Sequence, residues 1–582
     1  MLIEAIYHRP KLNWAYSYDE RTVHLRLRTK RADIDKVEVF YGDKCLPWEE
    51  MQTVRMEKLA EDEWYDYWET AVQPPYRRLC YAFILQDGDA SIWYSEEGFH
   101  RTPPVRHLGL FEFPFINAAD INRPPAWVKD AIFYQIFPER FANGDPSNDP
   151  ADVQPWGNKP EQRNFFGGDL QGIIDHLDHL TELGITALYL TPIFAGETNH
   201  KYDTSDYMQI DSHFGTKETL KQLVDACHEK GIRVMLDAVF NHAGKAFAPF
   251  KDVMENGPAS RYADWFHVRE WPATIKDGRP TYDTFAFEPL MPKLKTEHPE
   301  VKQYLLNVAK YWIEECGIDG WRLDVANEVD HKFWRAFRDV VKEVNPEAYI
   351  LGEIWHDSVM WLQGDQFDGV MNYPLSNTML DFFVFGHLDA QAFANKIGGL
   401  LARYPKPANE ACFNQLDSHD TVRLITLCKE NTDMMKLALL FQFSFPGAPS
   451  IYYGDEIGLT GEFDPDNRKC MPWNEEKQDR SLFAYYQQLI QLRKTYGSLR
   501  SGTLRFLHAE QQSTGLIYER SDQSEKLIIL MNAGEQAQTL SVRLEAGAWS
   551  DALTGDSLPV SDGVYTENLP PYGARVIVKG AR

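Results

Sequence analysis

Three acidic residues follow short apolar runs at positions far apart in the chain. Asp324 lies in GIDGWRLDVANEVDH, Glu353 in ILGEIWHD and Asp420 in QLDSHDT. Each apolar run is typical of a buried parallel strand. Because β/α barrels build their active sites at strand ends, we expect the three acids to converge on one pocket. A nucleophilic carboxylate and a carboxylic acid about 5–5.5 Å apart cleave a glycosidic bond with retention.

The neighbours of these acids indicate their roles. Arg322 precedes Asp324 by two residues, so on a strand both side chains point the same way, and the guanidinium favours an ionised nucleophile. Glu353 is flanked by apolar residues, a setting that favours the neutral acid needed as proton donor. Asp420, with His419, is placed to hold sugar hydroxyls. A single aspartate is more often a cap or an ion-pair partner, but three acids at strand ends favour catalysis.

The motif DAVFNHAG follows the third predicted strand and contains Asp237, Asn241 and His242. A lone histidine is more often structural. Since His242 ends a strand on the expected catalytic face, we interpret it as a substrate contact. Asp237 is interpreted as a carboxylate that braces its neighbours.

A further polar segment, FANGDPSNDP, contains Asn143, Asp145, Asn148 and Asp149. Hard oxygen ligands at this density suit Ca²⁺. The same residue types also form solvated turns, and the spacing alone does not separate the two readings.

Composition excludes several classes of function. The 582 residues carry 60 Lys and Arg against 86 Asp and Glu, and a net charge of −26 argues against a nucleic-acid partner. No apolar run approaches the length of a membrane helix, so no membrane partner is expected. The first residues lack the pattern of a signal peptide. Seven cysteines without a C-x-x-C motif predict free thiols and a cytoplasmic location.

Periodicity predicts three parts of the chain. Alternating segments such as TVHLRLRTK predict strands at the start, and strands alternating with helices follow them. Eight such strands indicate an α/β fold, a (β/α)8 TIM barrel. A long segment without a period follows the third strand and is typical of a functional loop. The predicted domains are an N-terminal β-sandwich (1–121), the barrel (122–501) with a loop subdomain (243–297), and a C-terminal antiparallel β-domain (502–582).

Four motifs, DAVFNH, GWRLDVANE, GEIW and SHD, resemble the core segments of the α-amylase superfamily of glycoside hydrolases, in the same order. MPKL at 291–294 and GDEIGLTG at 454–461 look like its accessory segments. The N-terminal β-domain, the VANE run and Trp355 are similar to the subgroup of cyclomaltodextrinases, neopullulanases and maltogenic amylases. The resemblance covers essentially the whole chain. One departure is Lys295, where the subgroup usually has Asn.

The resemblance implies a double displacement in which Asp324 attacks, Glu353 acts as acid and then base, and Asp420 stabilises the distorted sugar. It also implies calcium bound through the FANGDPSND segment and a nearby GGD. The implied substrate contacts are Tyr202, His242, Arg322, Trp355, His419, Asp464 and Arg468. The implied calcium residues are Asn143, Asp145, Asn148, Asp149, Gly167 and Asp169.

The resemblance further implies cyclodextrin, pullulan and maltodextrin substrates, transglycosylation, and a homodimer whose N-terminal domain covers the partner's active site. Candidates for that contact are Trp48, Trp64, Tyr65 and Trp68, of which at least half are expected in the sandwich core. A glucanotransferase or branching enzyme on the same scaffold shares this chemistry and remains an alternative. A non-catalytic binding barrel is disfavoured, because such a protein should have lost one of the three acids.

Overall fold

Two facing antiparallel sheets form the N-terminal part of the computed structural model, which describes residues 1–560 and 563–579. Their strands are β1 (Ala15–Ser17), β2 (Val23–Lys30), β3 (Lys36–Gly42), β4 (Gln52–Arg55), β5 (Glu57–Glu61), β6 (Tyr65–Val72), β7 (Leu79–Asp87), β8 (Ala90–Ser95), β9 (Gly98–His100) and β10 (Phe111–Phe113). The sheet orders are β1-β2-β6-β5 and β4-β3-β7-β8-β9, with β10 on β7. Alternate apolar residues of both sheets share one core.

The four aromatic residues predicted as candidates for the dimer contact differ in burial. Trp68 is buried in the sandwich core, whereas Trp48 and Tyr65 are half-buried. Trp64 is 66% exposed.

A parallel eight-stranded sheet follows, and it confirms the predicted (β/α)8 barrel. The strands of this part of the chain are β11 (Phe133–Ile136), β12 (Ala187–Leu190), β13 (Phe194–Gly196), β14 (Thr204–Ile210), β15 (Arg233–Ala238), β16 (Ile275–Lys276), β17 (Arg279–Pro280), β18 (Gly320–Leu323), β19 (Tyr349–Gly352), β20 (Gly369–Val370), β21 (Phe413–Asn414) and β22 (Ala448–Tyr452). The barrel order is β20-β19-β18-β15-β12-β11-β22-β21. A parallel bridge between Met371 and Phe413 joins the two end strands and closes the barrel.

Helices surround this sheet. They are α1 (Pro138–Phe141), α2 (Leu170–Asp175), α3 (Leu177–Leu183), α4 (Lys217–Glu229), α5 (Ala248–Asn256), α6 (Pro299–Cys316), α7 (His331–Val344), α8 (Tyr373–Phe383), α9 (Ala390–Arg403), α10 (Lys406–Ala411), α11 (Leu424–Leu427), α12 (Thr432–Ser444), α13 (Arg480–Thr495) and α14 (Ser498–Ser501). Gly184 and Gly317 stop α3 and α6 in the left-handed conformation. His176 separates α2 from α3.

The loop after β15 contains α5 and the short β16–β17 hairpin. Its end returns to the barrel, because the backbone N–H of Leu294 donates to the carbonyl of Asn241. The Lys293 ammonium also bonds the Asn241 side chain. The loop therefore forms a wall beside the end of β15.

Strands β23 (Thr503–Ala509), β24 (Gly515–Ser521), β25 (Lys526–Asn532), β26 (Gln538–Arg543), β27 (Trp549–Asp551), β28 (Val564–Leu569) and β29 (Ala574–Lys579) make up the C-terminal part. They form an antiparallel sheet of order β23-β24-β25-β29-β27 and a separate β26–β28 pair. The predicted domain runs to residue 582, and its residues 561–562 and 580–582 lie outside the described part of the chain.

The N-terminal sandwich is anchored to the barrel through α9. A Cβ at Gly398 would lie 1.9 Å from the carbonyl oxygen of Glu61, so only glycine permits this contact. The buried Arg26 side chain pairs with Glu69 and donates to the carbonyls of Ala402 and Tyr404. Across residues 1–560 and 563–579, no helix has the length and apolar character needed to cross a membrane.

Candidate active site

A cavity of about 490 Å³ opens at the carboxyl ends of the barrel strands, and we call it the catalytic cavity. Asp324 follows β18, Glu353 follows β19 and Asp420 follows β21, and all three line it. Tyr202, His242, Trp355, Asp464 and Arg468, five of the seven predicted substrate contacts, line it too. The other two, Arg322 and His419, are buried behind the wall and bond residues that line the cavity.

The Arg322 guanidinium is the hub of the site. Its Nη1 lies 2.7 Å from Asp324 Oδ1 and 3.1 Å from Asp237, and its Nη2 lies 2.9 Å from Glu353 Oε1. Arg322 is fully buried, so these bonds are screened little by water. One fixed cation thus sets the positions of three carboxylates, and Asp237 acts as the brace that the sequence suggested.

Glu353 receives two further hydrogen bonds. The backbone N–H of Val325 donates to its Oε2 over 2.9 Å, and the indole of Trp355 donates to its Oε1 over 3.2 Å. Val325 adopts φ +44°, a left-handed conformation that is costly for a β-branched residue. This turn directs the Val325 N–H at the carboxyl group of the neighbouring strand.

Tyr202, His419 and Asp420 form a second hydrogen-bonded group, which is joined to the hub through Asp237. Gln135 Nε2 donates to His419 Nδ1 over 2.7 Å, which leaves the imidazole proton on Nε2. His419 Nε2 lies 2.6 Å from the Tyr202 oxygen and 3.1 Å from Asp420 Oδ2. Burial lowers the pKa of His419 well below its ordinary value, so the ring is a neutral donor. The Tyr202 hydroxyl in turn donates to Asp237 over 3.0 Å.

Two polar atoms at the wall have no hydrogen-bond partner among the described residues: His242 Nε2 and Asp324 Oδ2. Asn241 Nδ2 contacts His242 Nδ1 at 3.3 Å, which assigns the proton to Nε2. Burial lowers the pKa of His242 to about 3. A neutral N–H donor and a free carboxylate oxygen therefore face a ligand in the cavity.

Aromatic and charged residues mark the two ends of the cavity. Trp355 is 49% exposed and stacks on Tyr373 with ring centroids 3.7 Å apart. At the other end Arg468 pairs with Asp464 at 3.2 Å and reaches Asp420 at 3.6 Å. An aromatic face and an ion pair are thus available to sugar rings on either side of the carboxylates.

Sequence reasoning missed five residues that line this cavity, namely His200, Phe285, Met291, Val325 and Asn327. Met291 begins the MPKL motif and His200 lies two residues before Tyr202, so closeness to a motif or residue already noted was the available signal. The motif GWRLDVANE likewise contains Val325 and Asn327. Phe285 stacks on His242 from a loop without periodicity, and the sequence contained no sign of it.

Burial is the main cause of the pKa shifts of Asp237 and Asp324 in the hub. Burial raises the pKa of Asp237 to about 6, while Arg322 opposes the shift. Burial also raises the pKa of Asp324 above its ordinary value, again against Arg322. Asp237 and Asp324 therefore bind a proton more tightly than a solvated carboxyl does.

The predicted calcium segment forms a compact loop beside α2. Asp169 caps α2 and accepts N–H groups of Gly144, Asp145, Gly172 and Asn148, so its role is to hold the loop. Asp145 accepts from Ser147. Asn143 Nδ2 donates to Asp149 Oδ1 over 2.7 Å.

The amide oxygens of Asn143 and Asn148 in that loop are buried, with no donor among the residues described. At Gly167, φ is +80° and a Cβ would lie 2.1 Å from Asp149 Oδ1. The loop thus gathers hard oxygen atoms that suit Ca²⁺. Among residues 1–560 and 563–579, no group of three or more His, Cys, Asp and Glu side chains is arranged to hold a metal ion.

Fold and site together define a glycosidase: a (β/α)8 barrel with carboxylates gathered at its strand ends. The profile described as "Alpha amylase, catalytic domain" matches residues 135–502, and those for "Alpha amylase, N-terminal ig-like domain" and "Maltogenic Amylase, C-terminal domain" match 1–117 and 504–576. The chain belongs to the α-amylase family.

Characterised relatives are similar over nearly the whole chain. A cyclomaltodextrinase of a Bacillus species is 57% identical, covering 96% of this chain and 100% of the relative. Neopullulanase 2 of Thermoactinomyces vulgaris is 45% identical, covering 100% of both. The intracellular maltogenic amylase of Bacillus subtilis (strain 168) is 46% identical over 93% of this chain and 92% of the relative. A solved cyclomaltodextrinase structure matches with a TM-score of 0.96 and 55% identity, covering 100% of both chains.

Proposed function

We propose that this glycosidase hydrolyses α-1,4 and some α-1,6 glucosidic bonds in cyclodextrins, pullulan and maltooligosaccharides, with retention and with transfer to sugar acceptors. The observation that carries the proposal is the hub: Asp324 and Glu353 bond two nitrogens of the single Arg322 guanidinium, at 2.7 and 2.9 Å. Carboxylates linked in this way suit the short separation of a retaining pair. The substrates follow from the names of the relatives.

In the first step the Asp324 carboxylate attacks the anomeric carbon. The Glu353 acid transfers its proton to the glycosidic oxygen, and the bond between that oxygen and the anomeric carbon breaks. In the second step Glu353 takes a proton from water, whose oxygen attacks the anomeric carbon and releases Asp324. A sugar hydroxyl in place of water gives transfer.

These steps require one ionised and one protonated carboxyl in the hub. Asp324 and Asp237 retain a proton to higher pH than solvated carboxyls, because burial raises their pKa values. The mechanism needs the transferred proton on Glu353 and a charged Asp324. Arg322, whose Nη1 lies 2.7 Å from Asp324 Oδ1, opposes the effect of burial and favours the ionised nucleophile.

Two neutral imidazoles and Asp420 bind the sugar. His419 Nε2 and the unpaired His242 Nε2 are donors, and Asp420 is an acceptor. Hydrogen bonds that strengthen as the ring distorts lower the barrier to the oxocarbenium-like transition state.

The substrate assignment predicts an order of rates. At equal mass we expect fast opening of β-cyclodextrin, release of panose from pullulan and slow attack on soluble starch, measured as initial rates with chromatography of the products. The Asp324→Asn variant, purified alongside, controls for contaminating amylase. A clear preference for starch would overturn the proposed substrate class.

The alternative is a glucanotransferase or branching enzyme. The same reactions run with and without added glucose separate the two. A hydrolase raises the total of reducing ends in both reactions, because each cleavage by water creates one. A transferase leaves that total unchanged and forms products mainly when the acceptor is present.

We also propose a cytoplasmic homodimer in which the N-terminal sandwich of one chain covers the catalytic cavity of the other. All residues lining this cavity come from the barrel and its loop subdomain, so its mouth is open to such a cover. Trp64, 66% exposed on the sandwich, is the candidate contact. The intracellular relative supports the location. Sedimentation should give twice the 67.2 kDa mass of one chain.

A structural calcium ion is the third part of the proposal. The two orphaned amide oxygens of Asn143 and Asn148, with Asp149 and Gly167, would hold it. When bound, the ion would supply positive charge that fixes the loop between α1 and α2.

Calcium removal is therefore expected to lower thermal stability. A bound ion at free Ca²⁺ 100-fold above Kd stabilises the folded state by about 2.7 kcal/mol. Chelation should lower the calorimetric midpoint, and Ca²⁺ should restore it. The Asp149→Ala variant should lose this response, while Asp152→Ala, at an exposed residue two positions beyond the segment, should keep it. A midpoint indifferent to chelator in the wild type would exclude the site.

A further inference from the structure

A second cavity of about 490 Å³ is as large as the catalytic cavity and is lined by different residues. One wall is the loop 156–160, between α1 and α2. The other is the segment 466–477, after β22. We call it the Trp156 cavity. None of the residues discussed so far for catalysis lines it.

Two indole rings line this cavity. Trp156 donates its N–H to the carbonyl of Met471 over 3.0 Å, and Trp473 donates to that of Phe141 over 2.8 Å. Both indole N–H groups therefore have acceptors, and these hydrogen bonds hold both rings in place. Trp473 packs against His176 in a tilted arrangement with ring centroids 3.8 Å apart, whereas Trp156 has no ring partner in the described chain and is half-buried. A fixed indole face is thus available at Trp156.

Polar groups surround that ring. Asn158, Lys159 and Lys477 line the cavity and are exposed. Lys469 is paired with Asp466 at 3.0 Å, which reduces the positive charge of this wall. The cavity therefore combines an apolar ring with amide and ammonium donors, the combination that binds the C–H faces and hydroxyls of a sugar.

One short segment separates the two cavities. Asp464 and Arg468 face the catalytic cavity, and Asp466 and Lys469 face the Trp156 cavity. Between them the amide of Asn467 is buried and donates to backbone carbonyls beside Asp420, at 2.8 Å for His419 and 2.8 Å for Thr421. The Trp156 cavity thus adjoins the end of the cleft that holds the Arg468–Asp464 pair.

We propose that the Trp156 cavity is a second α-glucan-binding site, separate from the catalytic cleft, in which a glucose ring stacks on Trp156. The ligand class rests on the proposed function. A sugar is favoured over a simple anion because the Trp156 ring gives a flat apolar face that an anion does not use, and because Lys469 already has a carboxylate partner. The site retains longer maltooligosaccharides next to the cleft.

The test counts binding sites in protein that cannot turn over. Calorimetric titration of the Asp324→Asn protein with maltohexaose should show one more site per chain than the Asp324→Asn, Trp156→Ala protein, or at least about ten-fold weaker binding at one site in the latter. Trp156→Phe keeps an aromatic face and should restore the site. Hydrogen exchange of residues 156–160 should slow with maltohexaose only when an aromatic ring is present at 156.

Controls separate this proposal from the proposed function. Phe385→Ala removes a ring that is 45% exposed and outside both cavities, and it should leave the number of sites unchanged. In active protein, Trp156→Ala should leave kcat on β-cyclodextrin unchanged. Absence of β-cyclodextrin hydrolysis in the wild type overturns the proposed function. If the wild type hydrolyses β-cyclodextrin but the Trp156→Ala and parent proteins give equal titrations, only the second site is overturned.

Discussion

Replacing Asp324 with asparagine is expected to lower kcat on β-cyclodextrin by about 10⁴-fold or more, the scale for removal of a nucleophile from covalent catalysis. An amide of the same shape cannot form the glycosyl ester. Arg322 keeps its bonds to Asp237 and Glu353, so the cavity should persist. Steady-state kinetics should show the loss, and calorimetry should show a Kd for β-cyclodextrin within a few-fold of the KM of the active protein.

The stereochemistry of rescue identifies the nucleophile. With Asp324→Ala, azide can enter the vacated space and displace fluoride from α-maltosyl fluoride in a single inversion, which gives the β-azide. The control Asp339→Asn removes an exposed carboxyl on α7 and should behave as the wild type. Near-normal turnover in Asp324→Asn, or α-azide from Asp324→Ala, would assign the nucleophile elsewhere.

The catalytic acids could be predicted because their positions follow from two regular periods. Strand alternation places Arg322 and Asp324 on one side of β18, and barrel topology brings the ends of β18, β19 and β21 to one face. The roles of the residues next to these acids in the sequence could be predicted together with them. The structure adds that Arg322 also bonds Glu353 and Asp237, because β15, β18 and β19 are adjacent strands.

Other parts of the site depend on loop geometry, which has no period. The left-handed φ of Val325 puts its N–H on Glu353, yet valine is among the residues least suited to that conformation. Phe285 reaches His242 from the loop after β15. Trp156 and segment 466–477 are more than 300 residues apart, and only the closed barrel joins them into a cavity.

Replacing Glu353 with glutamine is expected to lower kcat/KM for β-cyclodextrin by about 10²- to 10⁴-fold, the range for loss of general acid–base catalysis. A sugar oxygen leaves poorly without a proton. Fluoride leaves without one, so the first step with α-maltosyl fluoride should be nearly spared. Glutamine keeps the side-chain length and one carbonyl oxygen for the Val325 N–H. The matched control Glu347→Gln changes an exposed residue just before β19 and should leave both rates unchanged.

Loss of the base should then make the second step limiting in Glu353→Gln. The glycosyl ester should accumulate with α-maltosyl fluoride, appear as a maltosyl mass increase on the intact protein, and map to the peptide that contains Asp324. Azide needs no proton removal, so it should restore turnover and give the α-azide through two inversions. Equal losses on both substrates without azide rescue would reduce Glu353 to a structural partner of Arg322. A maltosyl ester on any other peptide would refute the assignment of Asp324, whatever the fate of Glu353.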